Sequence, residues 1–292
     1  MSLPYKSCKA FARRYLPAVA AVIVLTSCAA VNLAYEHADW WMERMATKYV
    51  DLDAKQEEAL RAKFEELHAW HRTHELPQYA TLLDRAADRM QQGLTRADVT
   101  WFMNSVNERW EVTSEQLSNE LSPVLVTLKP NQIVQIADNL ARENSRFAKS
   151  QIDLDPKKRE RQRTEWLTDQ VQKWVGELTP QQRQRIATVA PATPEFPEMR
   201  LVERRRRQAQ FLKLVSEQHD PLTLQTAIAR LLFFRREGAS DGYRKSVARY
   251  EAEITQMVLD IDRTLSREQR ATAVTRLRKF AGQFRTLASG RS

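Results

Sequence analysis

Three histidines at three-residue intervals, His68, His71 and His74, are the residues of this chain best spaced to hold a metal ion, with Glu65 and Glu75 beside them. Side chains three or four positions apart share one face of a helix, and imidazoles on one face can converge on zinc. The same spacing also suits packing. At about 100° per residue, His71 and His74 fall on the stripe of Leu60, Phe64 and Leu67, with His68 at its edge. Imidazoles so placed hydrogen-bond across a helix interface. No HExxH occurs, and His37 and His219 are remote in sequence, so the three are weak ligand candidates, and neither a metal nor a cofactor is expected. Arg204, Arg205, Arg206 and Arg207 form the densest charge run, followed by Gln208 and Gln210. Guanidinium groups grip phosphate and carboxylate bidentately, so the run is a candidate site for an anion or an acidic partner. Four consecutive residues wrap a full turn, so at most two can face one way. The remainder are expected to form a solvated face whose stems cover apolar neighbours.

Signatures of catalysis are missing. There is no glycine-rich phosphate loop, no GxSxG elbow and no CxxC. The adjacent acids Glu57-Glu58 and Glu65-Glu66 read as surface charge. A non-enzyme is expected.

Cys28 carries a different chemistry. Lys6, Lys9, Arg13 and Arg14 precede an apolar run from Leu16 to Leu25, which leads into Leu25-Thr26-Ser27-Cys28. About ten apolar residues are too few to span a bilayer and read instead as a secretory signal. The closing tetrapeptide resembles the bacterial lipoprotein-processing motif. That resemblance makes residues 1–27 a lipoprotein signal peptide and Cys28 an acylated, palmitate-bearing mature N-terminus. It also implies a membrane partner through the lipid on Cys28. Ala29, where enteric sorting retains lipoproteins at the inner membrane mainly on Asp, implies the outer membrane, facing the periplasm. Cys8 departs with the signal, so no disulfide is expected. Losing the four cations of the signal lowers the net charge from +9 to +5. That excess favours anionic lipid or acidic partners and falls short of a nucleic-acid footprint. Tyr35, Trp40 and Trp41 lie within 13 residues of Cys28, where aromatic rings suit either the bilayer interface or the core.

The elements that must position these residues are helices. Between only six glycines run long stretches with apolar residues every three or four positions. One stripe is Val99, Phe102, Val106, Trp110, Leu117 and Leu121. Another is Val247, Tyr250, Ile254, Met257 and Ile261, answered after a break near Leu265 by Val274, Leu277, Ala281 and Phe284, and this pair is expected to form an antiparallel hairpin. Trp70, Trp101, Trp110, Trp166 and Trp174 suit a core or a concave apolar surface. One phrase recurs at helix starts: Leu52-Asp53-Ala54-Lys55-Gln56, Leu178-Thr179-Pro180-Gln181-Gln182, Leu265-Ser266-Arg267-Glu268-Gln269 and, nearly, Leu94-Thr95-Arg96-Ala97-Asp98. It is a capping box with a leading hydrophobic staple. Leu128-Lys129-Pro130-Asn131-Gln132 keeps the frame but puts lysine at the cap. The starts at 52, 128, 178 and 265 have no common period, so they are read as helix markers, not repeats. Breaks are expected at Leu76-Pro77, at Ile152 to Pro156 and, most strongly, at the elbow 191–197 with its three prolines. The predicted fold is therefore an all-α bundle of antiparallel helices. It comprises an N-terminal helical segment (28–190), the elbow and a C-terminal segment (198–292), as one domain or two.

The lipobox, Trp70-His71-Arg72, Glu75-Leu76-Pro77-Gln78-Tyr79-Ala80, the 174–182 segment and the arginine-rich helix together resemble the DUF6279 family of bacterial lipoproteins, from about Cys28 to the C-terminus. The resemblance implies architecture and location and assigns no activity. The Leu-Thr-x-x-Gln phrases are similar to those of periplasmic LTxxQ proteins, the Spy and CpxP class of chaperones and stress modulators. The expectation is a binding role, as chaperone-like factor, scaffold or envelope-stress modulator, with envelope proteins or unfolded clients as partners and no nucleic acid. The alternative is a helical enzyme acting on an envelope polymer or lipid. A cleft with convergent buried carboxylates or histidines would favour the enzyme; an apolar-basic groove would favour binding.

Overall fold

The computed structural model describes residues 35–192, 195–217, 220–233 and 238–290, and no strand occurs among them. Cys28, the signal segment and His219 lie outside the described residues. In chain order the helices are α1 (Ala38–Ala46), α2 (Ala54–Trp70), a π-turn (His71–Glu75), α3 (Leu76–Gln92), α4 (Arg96–Leu125), α5 (Pro130–Gln151), α6 (Pro156–Val175), α7 (Pro180–Ala187), a 3-10 turn (Ala190–Ala192), α8 (Phe196–Glu217), α9 (Pro221–Phe233), α10 (Asp241–Arg263) and α11 (Arg267–Ala288). The all-α bundle is the observed fold.

Capping chemistry sets the starts. Asp53, Thr95, Thr179 and Ser266 each accept from the amide three residues on, at 3.1–3.2 Å, and the Gln or Asp there returns a bond to the cap's own amide. Lys129 makes only the return half, from its amide to Gln132 Oε1 at 2.8 Å, because an ammonium has no lone pair to offer. Its Nζ instead reaches Asp53 Oδ2 at 2.9 Å. The cap of α5 is thus a counter-ion for the cap of α2, and Lys129 draws the Asp53 carboxyl below its usual range.

The helix starts that lack a common period come together in pairs. Gln56 and Gln132 exchange amide hydrogen bonds at 3.1 and 2.6 Å, and each donates to a carbonyl two residues before the other's cap, Thr127 O and Asp51 O, both at 2.8 Å. Gln182 and Gln269 repeat the arrangement: mutual bonds at 3.0 Å, then donation to Thr264 O at 3.1 Å and Glu177 O at 2.6 Å. Each glutamine so caps its own helix and clasps another, which a reading of the phrases as isolated markers misses.

The break expected at Leu76-Pro77 is absent. Chain 54–92 continues as one rod through the π-turn; the wider ring admits a proline that an α-turn would reject. The rod sits antiparallel to α11. Arg270 donates to Met90 O at 2.5 Å, Arg278 meets Asp88 at 3.2 Å and Arg285 meets Asp84, over a seam of Ala80, Leu83 and Ala281. α10 and α11 do not form the hairpin expected of them. They meet near their turn, through Met257, Ile261 and Ala273, and α11 then follows α3.

α4 departs further from expectation. Its fully buried positions include Ser114, Ser118 and Ser122, a four-residue stripe that lets α9 lie close against it. Ser118 and Ser122 donate back to the carbonyls of Ser114 and Ser118 at 2.6 and 2.7 Å, which satisfies hydroxyls that no water reaches. The apolar stripe through Val99, Phe102 and Val106 is only half-buried, because it faces a cavity. The elbow lies between the 3-10 turn and α8. It does not separate two packing units: α8 packs on α5 and α11 on α3.

Candidate binding cavity

Phe196, Arg200, Glu203, Arg204, Arg207, Gln208 and Phe211 recur at three- and four-residue steps along α8 and therefore share a face. That face looks inward, toward the space enclosed with α4, α6, α9 and α10. The four consecutive arginines divide as helix geometry requires. Arg204 and Arg207 line the interior. Arg205 is exposed. Arg206 turns aside, holding the buried Glu203 at 2.5 and 2.8 Å and Gln210 Oε1 at 2.9 Å. Arg207 donates from Nη2 to Leu231 O at 3.1 Å, while its Nε is buried without a hydrogen-bond partner. Burial lowers the pKa of this guanidinium.

The space these residues face has a volume of about 1270 Å³, above the roughly 300–1,000 Å³ of sites for drug-sized ligands. It is long. α4 lines it from Asp98 to Leu125, about 40 Å at 1.5 Å per residue, and its lining runs from Leu52 and Leu128 at the first glutamine clasp to Leu265 at the second. The walls are mainly apolar and aromatic, with Phe102, Trp166 and Trp174 prominent. Walls of this kind suit an apolar occupant better than ordered water.

Polar groups in the lining are arranged unevenly. At one end Asp98 pairs with Arg89, whose guanidinium lies 4.0 Å from the Trp101 ring centre. There too Asp262, buried, pairs with Arg270 at 2.8 Å and accepts Leu94 N at 2.9 Å. Both pairs are charge-neutral. α8 contributes Arg200, Arg204, Arg207 and Glu203 to the lining, and α10 contributes Glu251. Phe196 stacks on Tyr250 at 5.1 Å, with Arg163 5.0 Å from the Tyr250 ring centre, and burial pushes the Tyr250 phenol up. Among the lining residues only Asn107 is exposed. One turn on, Trp110 Nε1 donates to Leu232 O at 3.3 Å, next to the Leu231 carbonyl that Arg207 holds.

The histidines do not converge. His71 is interior, its Nδ1 2.9 Å from the Tyr35 hydroxyl, and burial lowers its pKa to about 4. His68 packs on Tyr35 at 4.7 Å. His74 is exposed and stacks on Trp70 at 5.8 Å. The wheel places His71 and His74 together, but the π-turn rotates them apart. Among the described residues, no three His, Cys, Asp or Glu side chains are placed to hold a metal ion. The same turn buries Glu75 beside Arg109 at 3.4 Å, and desolvation raises its pKa.

The sequence did carry one signal for the cavity: arginines on the same face of α8 as Phe196 and Phe211. It is not recognisable as a lining without the partner helices.

Helices, clasps and cavity together define an all-α bundle built around a long apolar channel with a basic stripe. The chain belongs to DUF6279, a family of unknown function whose family model matches residues 48–244. The match is narrower than the span from Cys28 to the C-terminus and omits most of α10 and all of α11. No curated protein and no solved structure matches the chain.

Proposed function

We propose that this protein is a membrane-tethered, periplasm-facing lipoprotein of the outer membrane that binds an apolar ligand in its interior channel and does not transform it. The observation that carries the reading is a channel of about 1270 Å³ with mainly apolar walls. A segment of unfolded protein would bring backbone donors and acceptors that such walls leave unpaired, at a cost of about 1–3 kcal/mol each. A lipid-like molecule brings none along its chains. Three of the four lining carboxylates, Asp98, Asp262 and Glu203, are each held by an arginine, which ties up groups an enzyme would use as acid and base.

Tethering through an acylated Cys28 is supported by α1. None of its residues is buried, and Trp40, Trp41 and Met45 are about half exposed, with Arg44 5.6 Å from the Trp40 ring centre. Tryptophan with a neighbouring cation suits the headgroup layer. Among the described residues no helix is long and apolar enough to cross a membrane.

The test is native mass spectrometry of the full chain, extracted from its own membranes in polymer-bounded discs. A co-purifying apolar molecule near one per protein is expected, and Val106→Trp, which fills the channel, should reduce its occupancy. A protein that carries no such molecule and takes none up on incubation with membrane lipid would overturn the reading.

A further inference from the structure

The channel ends beneath α1. Ala46, the last residue of that helix, lines it together with Tyr49 and Val50, which follow. Met42 and Ala46 rest on a cluster that includes Leu60, Phe64 and Val124, and those three residues are channel wall as well. What α1 covers on its inner side is therefore the apolar lining itself. The cover is light. No α1 residue is buried, and the ion pair of Glu43 with Arg61 at 3.1 Å is solvent-exposed, a kind that contributes little. The two ends are pinned. The Tyr35 hydroxyl bonds His71 Nδ1 at 2.9 Å; past Ala46, Asn139 donates to Tyr49 O at 2.9 Å and Gln135 accepts from Asp51 N at 3.1 Å.

The outer side of α1 has the chemistry of an interfacial surface. At about 100° per residue, Trp40, Trp41, Arg44 and Met45 fall within an arc of roughly 140°, and the acids Asp39 and Glu43 lie outside it. All four are exposed. Indole rings beside a cation, with no acid among them, match the boundary between acyl chains and phosphate. A protein partner matches less well: a nine-residue helix is about 14 Å long, and one face of it is far short of the roughly 800 Å² per partner of a stable interface. Cys28 is seven residues from Tyr35, at most about 25 Å of extended chain, so an acylated Cys28 holds this face at the bilayer.

From this juxtaposition we propose that α1 is a membrane-docked strap over one end of the channel. Its outer face lies in the headgroup layer, and when its middle parts from α2 the channel opens into the bilayer and exchanges phospholipid with it. This rests on the binding reading above and adds the source of the ligand and its route. The pins at Tyr35 and Tyr49 let the strap part without releasing the glutamine clasp behind it.

A reversible tie tests it. Glu43→Cys with Arg61→Cys lets α1 be joined to α2 by a short bifunctional methanethiosulfonate. The full chain, in phosphatidylcholine vesicles, is tied before phosphatidylcholine with a diazirine in its acyl chain is delivered by cyclodextrin exchange, and labelled residues are mapped by mass spectrometry after illumination. The untied protein should be labelled at Trp40, Trp41 or Met45 and, in the channel, at Phe102 and Val106. The tied protein should lose most of its channel labelling and keep that of α1, and a reducing agent, by cutting the tie, should restore it. One preparation is read tied and then released, so misfolding cannot imitate the result. Trp40→Glu with Trp41→Glu, changed only at exposed positions, gives a second reading: labelling of α1 should vanish and that of the channel should slow. Channel labelling indifferent to both the tie and the tryptophan changes overturns the strap and leaves the binding reading standing. A labelled channel without labelled α1 overturns the docking. Labelled α1 with an unlabelled channel in every form of the protein overturns the binding reading and the strap together.

Discussion

Replacing Gln182 by alanine removes one member of a buried clasp, and its cost can be worked out bond by bond. The side chain is 1% exposed. Its Oε1 accepts from Thr179 N and from Gln269 Nε2, both at 3.0 Å, and its Nε2 donates to Thr264 O at 3.1 Å and Gln269 Oε1 at 3.0 Å. Alanine leaves the Thr179 amide, the Thr264 carbonyl and part of the Gln269 amide without these bonds. At about 1 kcal/mol each the loss is about 3 kcal/mol, a large share of a typical stability of about 5–15 kcal/mol. Thr179→Ala breaks only the cap and should cost about 0.5–2 kcal/mol. Urea unfolding followed by far-ultraviolet circular dichroism measures both. Gln269→Ala should resemble Gln182→Ala, and the double variant should fall short of their sum by about 1–2 kcal/mol, since either loss already breaks the clasp. Additivity within about 0.5 kcal/mol would show that each glutamine merely caps its own helix and would refute the pairing argument.

Other perturbations have equally definite outcomes. Cys28→Ser should abolish incorporation of labelled fatty acid and release the protein from sedimented membranes; retained label would remove the lipoprotein assignment. Trp40→Ala with Trp41→Ala should leave the urea midpoint nearly unchanged, because both rings are about half exposed, yet raise the mobility of α1 at the bilayer, read by spin labels there. His71 is neutral in the fold, with its pKa lowered to about 4 by burial. The unfolded chain therefore binds the extra proton first, and stability falls as pH drops from about 6.5 toward 4, by about 2 kcal/mol between pH 7.5 and 5. Urea titrations at the two pH values should show that loss in the native protein and a smaller one in His71→Phe.

Much of the fold was legible because it is written locally. A capping residue and its N3 partner lie three positions apart, so Asp53, Thr95, Thr179 and Ser266 announce their helices without reference to anything distant. The division of Arg204 to Arg207 was equally open to prediction from the helical repeat, though not which two would turn inward. What stayed hidden depends on partners far along the chain. Gln56 finds Gln132 and Gln182 finds Gln269 across separations that share no period. Phe102 and Val106 read alike whether they face another helix or a channel, because periodicity reports the direction of a face and says nothing of what stands opposite. Ser114, Ser118 and Ser122 are polar by type and so escape a hydrophobic pattern, although they form the closest seam of α4.

The π-turn at His71–Glu75 also acts as a phase shifter. On an uninterrupted α-helix the α2 stripe of Gln56, Leu60, Phe64 and Leu67 and the α3 stripe of Leu76, Ala80, Leu83 and Ala87 would point in nearly opposite directions, at about 100° per residue. Five residues wound to the wider π pitch withhold about 90° of rotation, which brings the two faces to about a quarter-turn of one another. One rod can then press its first half on α4 and its second half on α11, around the corner of a single bundle. Rewinding the turn as ordinary α-helix at the same length would swing that seam of Ala80 and Leu83 by about 90°, away from α11, whereas deleting one residue from 72–74 would restore α-winding and leave the seam aimed as it is. The extra residue of the turn and its wider winding cancel, so the rod tolerates losing both together but not the winding alone.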